Sequence, residues 1–316
     1  MKDTAKIPVA AVVGPTASGK SRLAVEIALH ENGEVISADS MQIYKGMNIG
    51  TAKPTAEEMR GVPHHLIDFV ELSCPFCVAD YVALASQCIS GLHSRGKLPI
   101  VAGGTGLYVR SLLHHIQFTE NDRDDALRDE LAQKAEREGV ASLMEELKQF
   151  DPHSAERIHP NNLPRVIRAI EIYRTTGITM TEQMERSRQI PSPYRACVIG
   201  LDYRNRQTLY DRINLRVDRM VQNGLVQEAK EVLSQPNSQT ALQAIGYKEL
   251  LPYFQGACSL DEAVERIRRE SRRYAKRQLT WFRRDEDIHW IFMDDYSDFS
   301  EVINQAVQLI EKQLNG

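Results

Sequence analysis

Short apolar, β-branched runs alternate with stretches of helical periodicity over the first third of the chain, and the alternation returns near its end. The runs cover residues 7–13, 35–38, 65–70, 99–102, 196–201 and 288–293. Between the first two, Leu23, Ile27 and Ala28 fall on one helical face of a segment that starts at Gly19, with Gly33 just past its end. A second helical pattern covers residues 78–93. Strand and helix in alternation predict a parallel sheet with crossover helices. The alternation stops after GGTGLYVRSLL. Over residues 118–193 the pattern is helical and polar: DDALRDELAQKAEREG reads as an exposed helix closed by Gly139, and NLPRVIRAIEIYRTTG carries Leu163, Val166, Ile167 and Ile170 on one face and ends at Gly177. QIPSPY then acts as a linker, because its two prolines resist helix and central strand alike. The pattern predicts an α/β protein whose flanked parallel sheet, residues 1–117 and 194–316, is interrupted by an all-helical insertion, residues 118–193.

The chain of 316 residues is long enough for one large core and a smaller appendage. Its net charge of −4, from 39 basic and 43 acidic residues, excludes a protein that is basic all over, so a nucleic-acid surface has to be a local patch. Five cysteines, no signal-peptide pattern and no apolar run of bilayer length lead to the expectation of reduced thiols, a cytoplasmic setting and no membrane. CPFC, residues 74–77, has the spacing of a redox or zinc pair but no second pair. His64–His65 and His114–His115 are adjacent, the wrong spacing for ligands on one helical face, and read as turn or core residues.

GPTASGKS, residues 14–21, follows the apolar run IPVAAVV and opens a helical pattern, the context of a phosphate-binding loop. Backbone N–H groups and the positive end of the following helix make an anion cradle there, with Lys20 reaching the terminal phosphates and the Ser21 hydroxyl holding Mg²⁺. The later apolar run PIVAGG ends in Gly103, Gly104 and Thr105 rather than in the aspartate many nucleotide hydrolases place there. Asp39 stands just past another run, at the end of a strand that points to a ligand crevice. It could bind metal, accept a proton or merely cap a turn; Ser40 and Gln42 beside it offer neutral hydrogen bonds suited to a base edge.

The ordered series GPTASGKS, ISADSMQIYKGMNIGTAKP, HHLIDF, VAGGTGLYVRSLL, NLPRVIRAIEI, LYDRINLRVDRM, QAIGYKEL and RRYAKRQLTWFRR resembles the tRNA dimethylallyltransferases, also called tRNA isopentenylpyrophosphate transferases, over residues 8–285. The resemblance implies transfer of a dimethylallyl group from dimethylallyl diphosphate to the exocyclic N6 amine of the adenosine 3′-adjacent to the anticodon, with release of pyrophosphate. It implies that Gly14, Pro15, Thr16, Ala17, Ser18, Gly19, Lys20 and Ser21 hold the donor's diphosphate rather than ATP, with Mg²⁺ on Ser21. Asp39 would take the proton. Thr105 and one of Arg212 and Arg216, which share a helix face, would contact the reacting groups. The tRNA would be met by Asp39, Ser40, Met41, Gln42 and Thr105, by Arg128, by Pro164, Arg165, Val166, Ile167 and Arg168, and by Gln243, Ala244, Ile245, Gly246, Tyr247 and Lys248.

The stretch ERIRRESRRYAKRQLTWFRR gathers Arg266, Arg268, Arg269, Arg272, Arg273, Lys276, Arg277, Arg283 and Arg284 against few acids, a dense enough cluster for an RNA phosphate track. Spread around a helix, these residues cannot all face one way. An anticodon loop suits such an enzyme, since an unpaired adenine leaves its stack cheaply. A prenyltransferase acting on free adenylate, a small-molecule kinase and a nucleotide-gated RNA-binding switch are the competing readings. With no exposed apolar stripe in the pattern, a monomer is expected.

Overall fold

The computed structural model describes residues 6–116, 118, 124–235 and 243–314. The chain divides into two compact units, Met1–Leu113 with Pro193–Gly316, and His114–Ser192. Gln117, at the boundary expected from the pattern, lies outside the described residues.

In the larger unit, β1 (Ile7–Val13), β2 (Gly33–Ser37), β3 (His64–His65), β4 (Leu98–Gly103), β5 (Tyr194–Asp202) and β6 (Ile288–Phe292) form one sheet in the order β3-β2-β4-β1-β5-β6. All five pairings are parallel. The carboxyl ends of β1, β2 and β4 therefore open on the same edge, with β1 at the point where strand order reverses, the place where such sheets bind ligands. The expected strand over 65–70 is shorter than the pattern suggested. Only His64 and His65 pair with β2, because Leu66 and Asp68 take left-handed backbone conformations at φ 57° and 55° that a strand cannot continue through.

Helix α1 (Lys20–His30) follows β1 and buries Leu23, Ile27 and Ala28 against the sheet. Gly33 does not cap it: Glu31 ends the helix, Asn32 turns at φ 51°, and Gly33 opens β2. After the short α2 (Ala56–Met59) come α3 (Val78–Ser94) and α4 (Gly106–Leu113). The helical unit supplies α5 (Asp125–Glu138), α6 (Val140–Phe150), α7 (Pro152–Arg157), α8 (Leu163–Thr176) and α9 (Met180–Gln189). Its core joins Leu131, Leu143, Leu147, Val166 and Ile170, each fully buried, a contribution of about 1.5–3 kcal/mol per large side chain.

Back in the larger unit, α10 (Arg206–Gln222), α11 (Leu225–Ser234), the single turn α12 (Leu251–Phe254), α13 (Leu260–Phe282) and α14 (Phe299–Leu314) complete the chain. One core lies between sheet, α1 and α14, through Val12, Leu23, Ile199, Val302 and Ile310. A second packs α10, α11 and α13 on the segment after β2, through Ile43, Met47, Val217, Leu225, Tyr247 and Ile267. The second core sets where α10 and α13 stand beside the open edge of the sheet.

Candidate active site

The loop after β1 turns into α1 through Gly19, at φ 96°. Lys20 Nζ donates to Pro15 O at 2.7 Å, which folds the side chain back over its own loop. Ser18 is fully buried, and its hydroxyl has no partner among the described residues. Thr16, Lys20 and Ser21 line a cleft of about 320 Å³ together with Asp39, Ser40, Met41, Gln42, Gly104, Arg216, Tyr274 and Gln278. Burial, then the nearby Arg216 charge, pushes Lys20 down to about 7, while Asp39 pulls the other way. Burial also lowers Arg216. Two cations crowded at one end of a cleft are a site that an anion relieves.

Past β2, the chain is pinned to the tip of β4: Ala38 N donates to Ala102 O at 2.8 Å and Thr105 N to Ala38 O at 3.1 Å. Asp39 Oδ1 accepts from Met41 N at 2.9 Å and Gln42 N at 3.3 Å, so one carboxylate oxygen does the work of a turn cap. No partner is found for its second oxygen among the described residues. Thr105 Oγ1 accepts from Ser40 N at 3.0 Å and donates to Ser40 Oγ at 3.3 Å. The Gln42 amide is engaged, donating to Thr51 O at 3.2 Å and Ala52 O at 3.1 Å.

Glu228, at the start of α11, holds the GMNIGT segment in place. Its carboxylate accepts from the N–H groups of Asn48, Ile49 and Gly50 at 2.8–3.0 Å and from the Tyr247 hydroxyl at 2.7 Å. Gly50 is required there: a Cβ would stand 2.5 Å from the Tyr247 ring. The segment presents Thr51 O to the cleft, where Arg216 Nη2 lies at 3.4 Å. The two arginines of α10 thus separate. Arg216 lines the cleft. Arg212 is exposed, donates from Nε to Ala17 O at 3.0 Å and lies over the Tyr203 ring, bracing the phosphate loop from outside.

Helix α13 closes the other side. The Gln278 amide accepts from Thr16 N at 2.8 Å and donates to Gly104 O at 3.0 Å. Gly104 is glycine for that reason, since a Cβ would stand 2.1 Å from Gln278 Nε2. One turn earlier, Tyr274 also lines the cleft; burial raises its hydroxyl well above the ordinary tyrosine range, and the Asp39 charge adds to that.

The basic stretch divides. Arg268 pairs with Asp218 and Glu265, Arg272 with Asn214 and Glu265, and Arg283 with the fully buried Asp202. Arg266, Arg269, Arg273 and Arg277 are exposed on successive turns of one face, with Glu270 among them taking Arg273 at 2.7 Å and Arg269 at 3.7 Å. Arg277 also lines the cleft. In QAIGYK, Gln243, Ala244, Ile245 and Lys248 line the cleft too; Tyr247 is buried, and Gly246 N donates to Glu249.

In the helical unit, Arg128 and Arg168 converge on the buried Glu171, which also accepts from Asp124 N. Burial works to raise the Glu171 carboxyl, and the hydrogen bonds from Arg128, Arg168 and Asp124 outweigh it and hold it below its ordinary range. Val166 and Ile167 are buried in the unit's core, Pro164 starts α8, and Arg165 is exposed.

The residues overlooked in the sequence are Gln278, Thr51 and Glu228. Gln278 left one trace, a lone amide on the inward face of α13 beside Ala275 and Leu279.

With loop, carboxylate and arginine assembled at a switch point of a parallel sheet, the class is an α/β protein with a cleft at the carboxyl edge of its sheet. The IPP transferase family model matches residues 42–285, and an isopentenyl transferase model matches residues 7–74. A tRNA dimethylallyltransferase of Caldanaerobacter subterraneus is 49% identical over 312 residues, covering 98% of this chain and 99% of its own. One from Halalkalibacterium halodurans is 49% identical over 305 residues, 96% of each chain. Among solved structures, the tRNA isopentenylpyrophosphate transferase of Bacillus halodurans is 46% identical with a TM-score of 0.70, covering 98% of this chain and 99% of that one. A eukaryotic dimethylallyltransferase acting on tRNA is 29% identical with a TM-score of 0.82, covering 97% of this chain and 80% of that one. The chain belongs to the IPP transferase family.

Proposed function

We propose that the protein transfers the dimethylallyl group of dimethylallyl diphosphate to the exocyclic N6 amine of the adenosine 3′-adjacent to the anticodon in tRNA, releasing pyrophosphate. The observation that carries this reading is the convergence, in one cleft, of the phosphate loop, the half-buried cations Lys20 and Arg216, and the half-engaged carboxylate of Asp39. The loop amides and Lys20 bind the diphosphate, and Arg216 rather than Arg212 answers the charge that grows as the allylic C–O bond breaks. The adenine N6 forms its bond to the same carbon, and its proton passes to the free oxygen of Asp39, a contribution of ~10²–10⁴ in rate. Thr105 holds the Asp39 loop through Ser40 N. Ile213, Val217, Met220, Ile245 and Ile267 give the prenyl chain an apolar wall.

Mg²⁺ fits the donor set. The Ser21 hydroxyl lines the cleft beside Lys20, an oxygen ligand of the kind this ion combines with substrate phosphates, and no group of three or more His, Cys, Asp or Glu among the described residues offers a rival cage. When bound it would neutralise charge on the departing diphosphate.

The exposed face Arg266, Arg269, Arg273 and Arg277 carries the RNA backbone toward the cleft mouth, and Arg165 adds a contact from the helical unit. No helix among the described residues is long and apolar enough to cross a membrane. Radiolabelled dimethylallyl diphosphate supplied with unmodified tRNA, AMP or neither tests the reading. Label in tRNA supports it; label in AMP alone points to a free-nucleotide prenyltransferase, and no label in either overturns it.

A further inference from the structure

We propose that Gln278 is a positioning residue that fixes the donor cradle at a set distance from the proton acceptor, by bridging the phosphate loop to the tip of β4. The inference rests on the prenyl-transfer reading above. Its amide takes the Thr16 N–H of the loop at 2.8 Å and gives its own N–H to Gly104 O at 3.0 Å. Only an amide can do both: a carboxylate would face the Gly104 carbonyl with a lone pair, and an aliphatic side chain would leave a buried donor and acceptor unpaired. The bridge is tight as well as polar, since Gly104 has no room for a Cβ beneath it.

The path continues past Gly104. Thr105, the next residue, gives its N–H to Ala38 O at 3.1 Å. Thr105 Oγ1 takes Ser40 N at 3.0 Å, and Ser40 follows Asp39. A continuous line therefore runs from the donor loop to the base loop, through the Gln278 amide, the Gly104–Thr105 backbone and the Thr105 hydroxyl. These loops follow different strands, β1 and β2, which are separated in the sheet by β4. The base loop is pinned to β4 through Ala38, so without the bridge it is the donor loop that loses its hold on the tip of β4. A displacement of about 1 Å between reacting groups is enough to cost ~10²-fold in rate. A polar bridge of this kind is worth more to the rate than to the fold, because the surrounding core of Ala275, Leu279 and Phe282 is untouched by its loss.

The test is Gln278→Met, close in volume and without the hydrogen bonds, alone and combined with Thr105→Val. In steady-state prenylation of tRNA, Gln278→Met is expected to lower kcat by ~10–100-fold at saturating donor and tRNA, to leave the KM for tRNA within about 3-fold, and to keep Tm within a few degrees of wild type. The double variant is expected to lose less than the product of the two single losses, because both cut one path. A kcat within about 2-fold of wild type overturns the inference, and so do losses that multiply, since Gln278 would then act independently of Thr105. Where Gln278→Met does not accumulate as folded protein, Gln278→Glu breaks the same path at Gly104 with the side-chain shape kept, and the same two outcomes decide. A wild-type protein that prenylates no tRNA overturns the proposed function instead, which separates the two failures.

Discussion

Arg216 stands close enough to Lys20 for its guanidinium to disfavour the lysine's charge, second only to burial, and together they bring Lys20 down to about 7. Lys20 is thus about half neutral near pH 7, and under the proposed function an anion arriving between the two residues would restore its proton.

Donor binding should therefore take up protons. With a free-state value of about 7, about nine-tenths of a proton enters at pH 8 and little at pH 5.5, so affinity falls as pH rises above 7. Titration calorimetry of pyrophosphate in buffers of different ionisation enthalpy, compared with Lys20→Met to remove the ligand's own ionisation, reads the difference. Equal uptake in both proteins would contradict the prediction. The sign for stability runs the other way. A lysine lowered on folding opposes folding fully below pH 7 and less as pH climbs toward its ordinary 10.5, so Lys20→Met should match or exceed wild-type Tm at pH 6 while binding pyrophosphate far more weakly.

Asp39→Asn keeps the oxygen that accepts from Met41 N and Gln42 N and removes only the basic character. A kcat loss of ~10²–10⁴ with pyrophosphate affinity within a few-fold of wild type is expected. Collapse of pyrophosphate binding would instead make Asp39 a structural or metal-holding group.

Glu228→Ala leaves three backbone N–H groups and the Tyr247 hydroxyl without their acceptor. Loss of about 2–4 kcal/mol in denaturant unfolding is expected, together with weakened pyrophosphate binding as Thr51 O drifts from Arg216. Glu228→Gln, which keeps an acceptor oxygen, should recover most of both.

At Glu171 the stability of the helical unit should be separable from its proposed RNA contact. Its carboxyl is held below the ordinary range, so its contribution is present above the ordinary glutamate value and is lost as pH falls through the lowered one. Glu171→Gln should flatten the acid limb of unfolding below about pH 5. Arg128→Ala and Arg168→Ala, which strip a partner from a buried charge, should lower stability, whereas Arg165→Ala should weaken tRNA binding alone.

Much of the fold could be read in the pattern because apolar runs of β1, β2, β4, β5 and β6 are local features. The strand expected over 65–70 was shortened by Leu66 and Asp68, whose left-handed backbone leaves no mark on hydrophobic alternation. The phosphate loop, Asp39 and Thr105 lie at strand ends and are visible in sequence; the choice between Arg212 and Arg216 was not, since it depends on which side of the loop the α10 turn faces. Gln278 and Glu228 escaped notice for a similar reason. Their backbone partners lie 174–262 and 178–180 residues away, so only the packed core brings them together. The basic stretch looked uniform in sequence, yet Arg268, Arg272 and Arg283 are spent on internal partners, while Arg266, Arg269, Arg273 and Arg277 stay exposed.

Nucleoside analysis of an unmodified tRNA after incubation with the protein, Mg²⁺ and dimethylallyl diphosphate reaches the core of the proposal. It should yield one N6-dimethylallyladenosine per tRNA, mapped to the position 3′ of the anticodon, with one pyrophosphate released for each. Pyrophosphate release with an unaltered adenosine, or prenylation at another atom or position, would show that the cleft does not join donor and base as described.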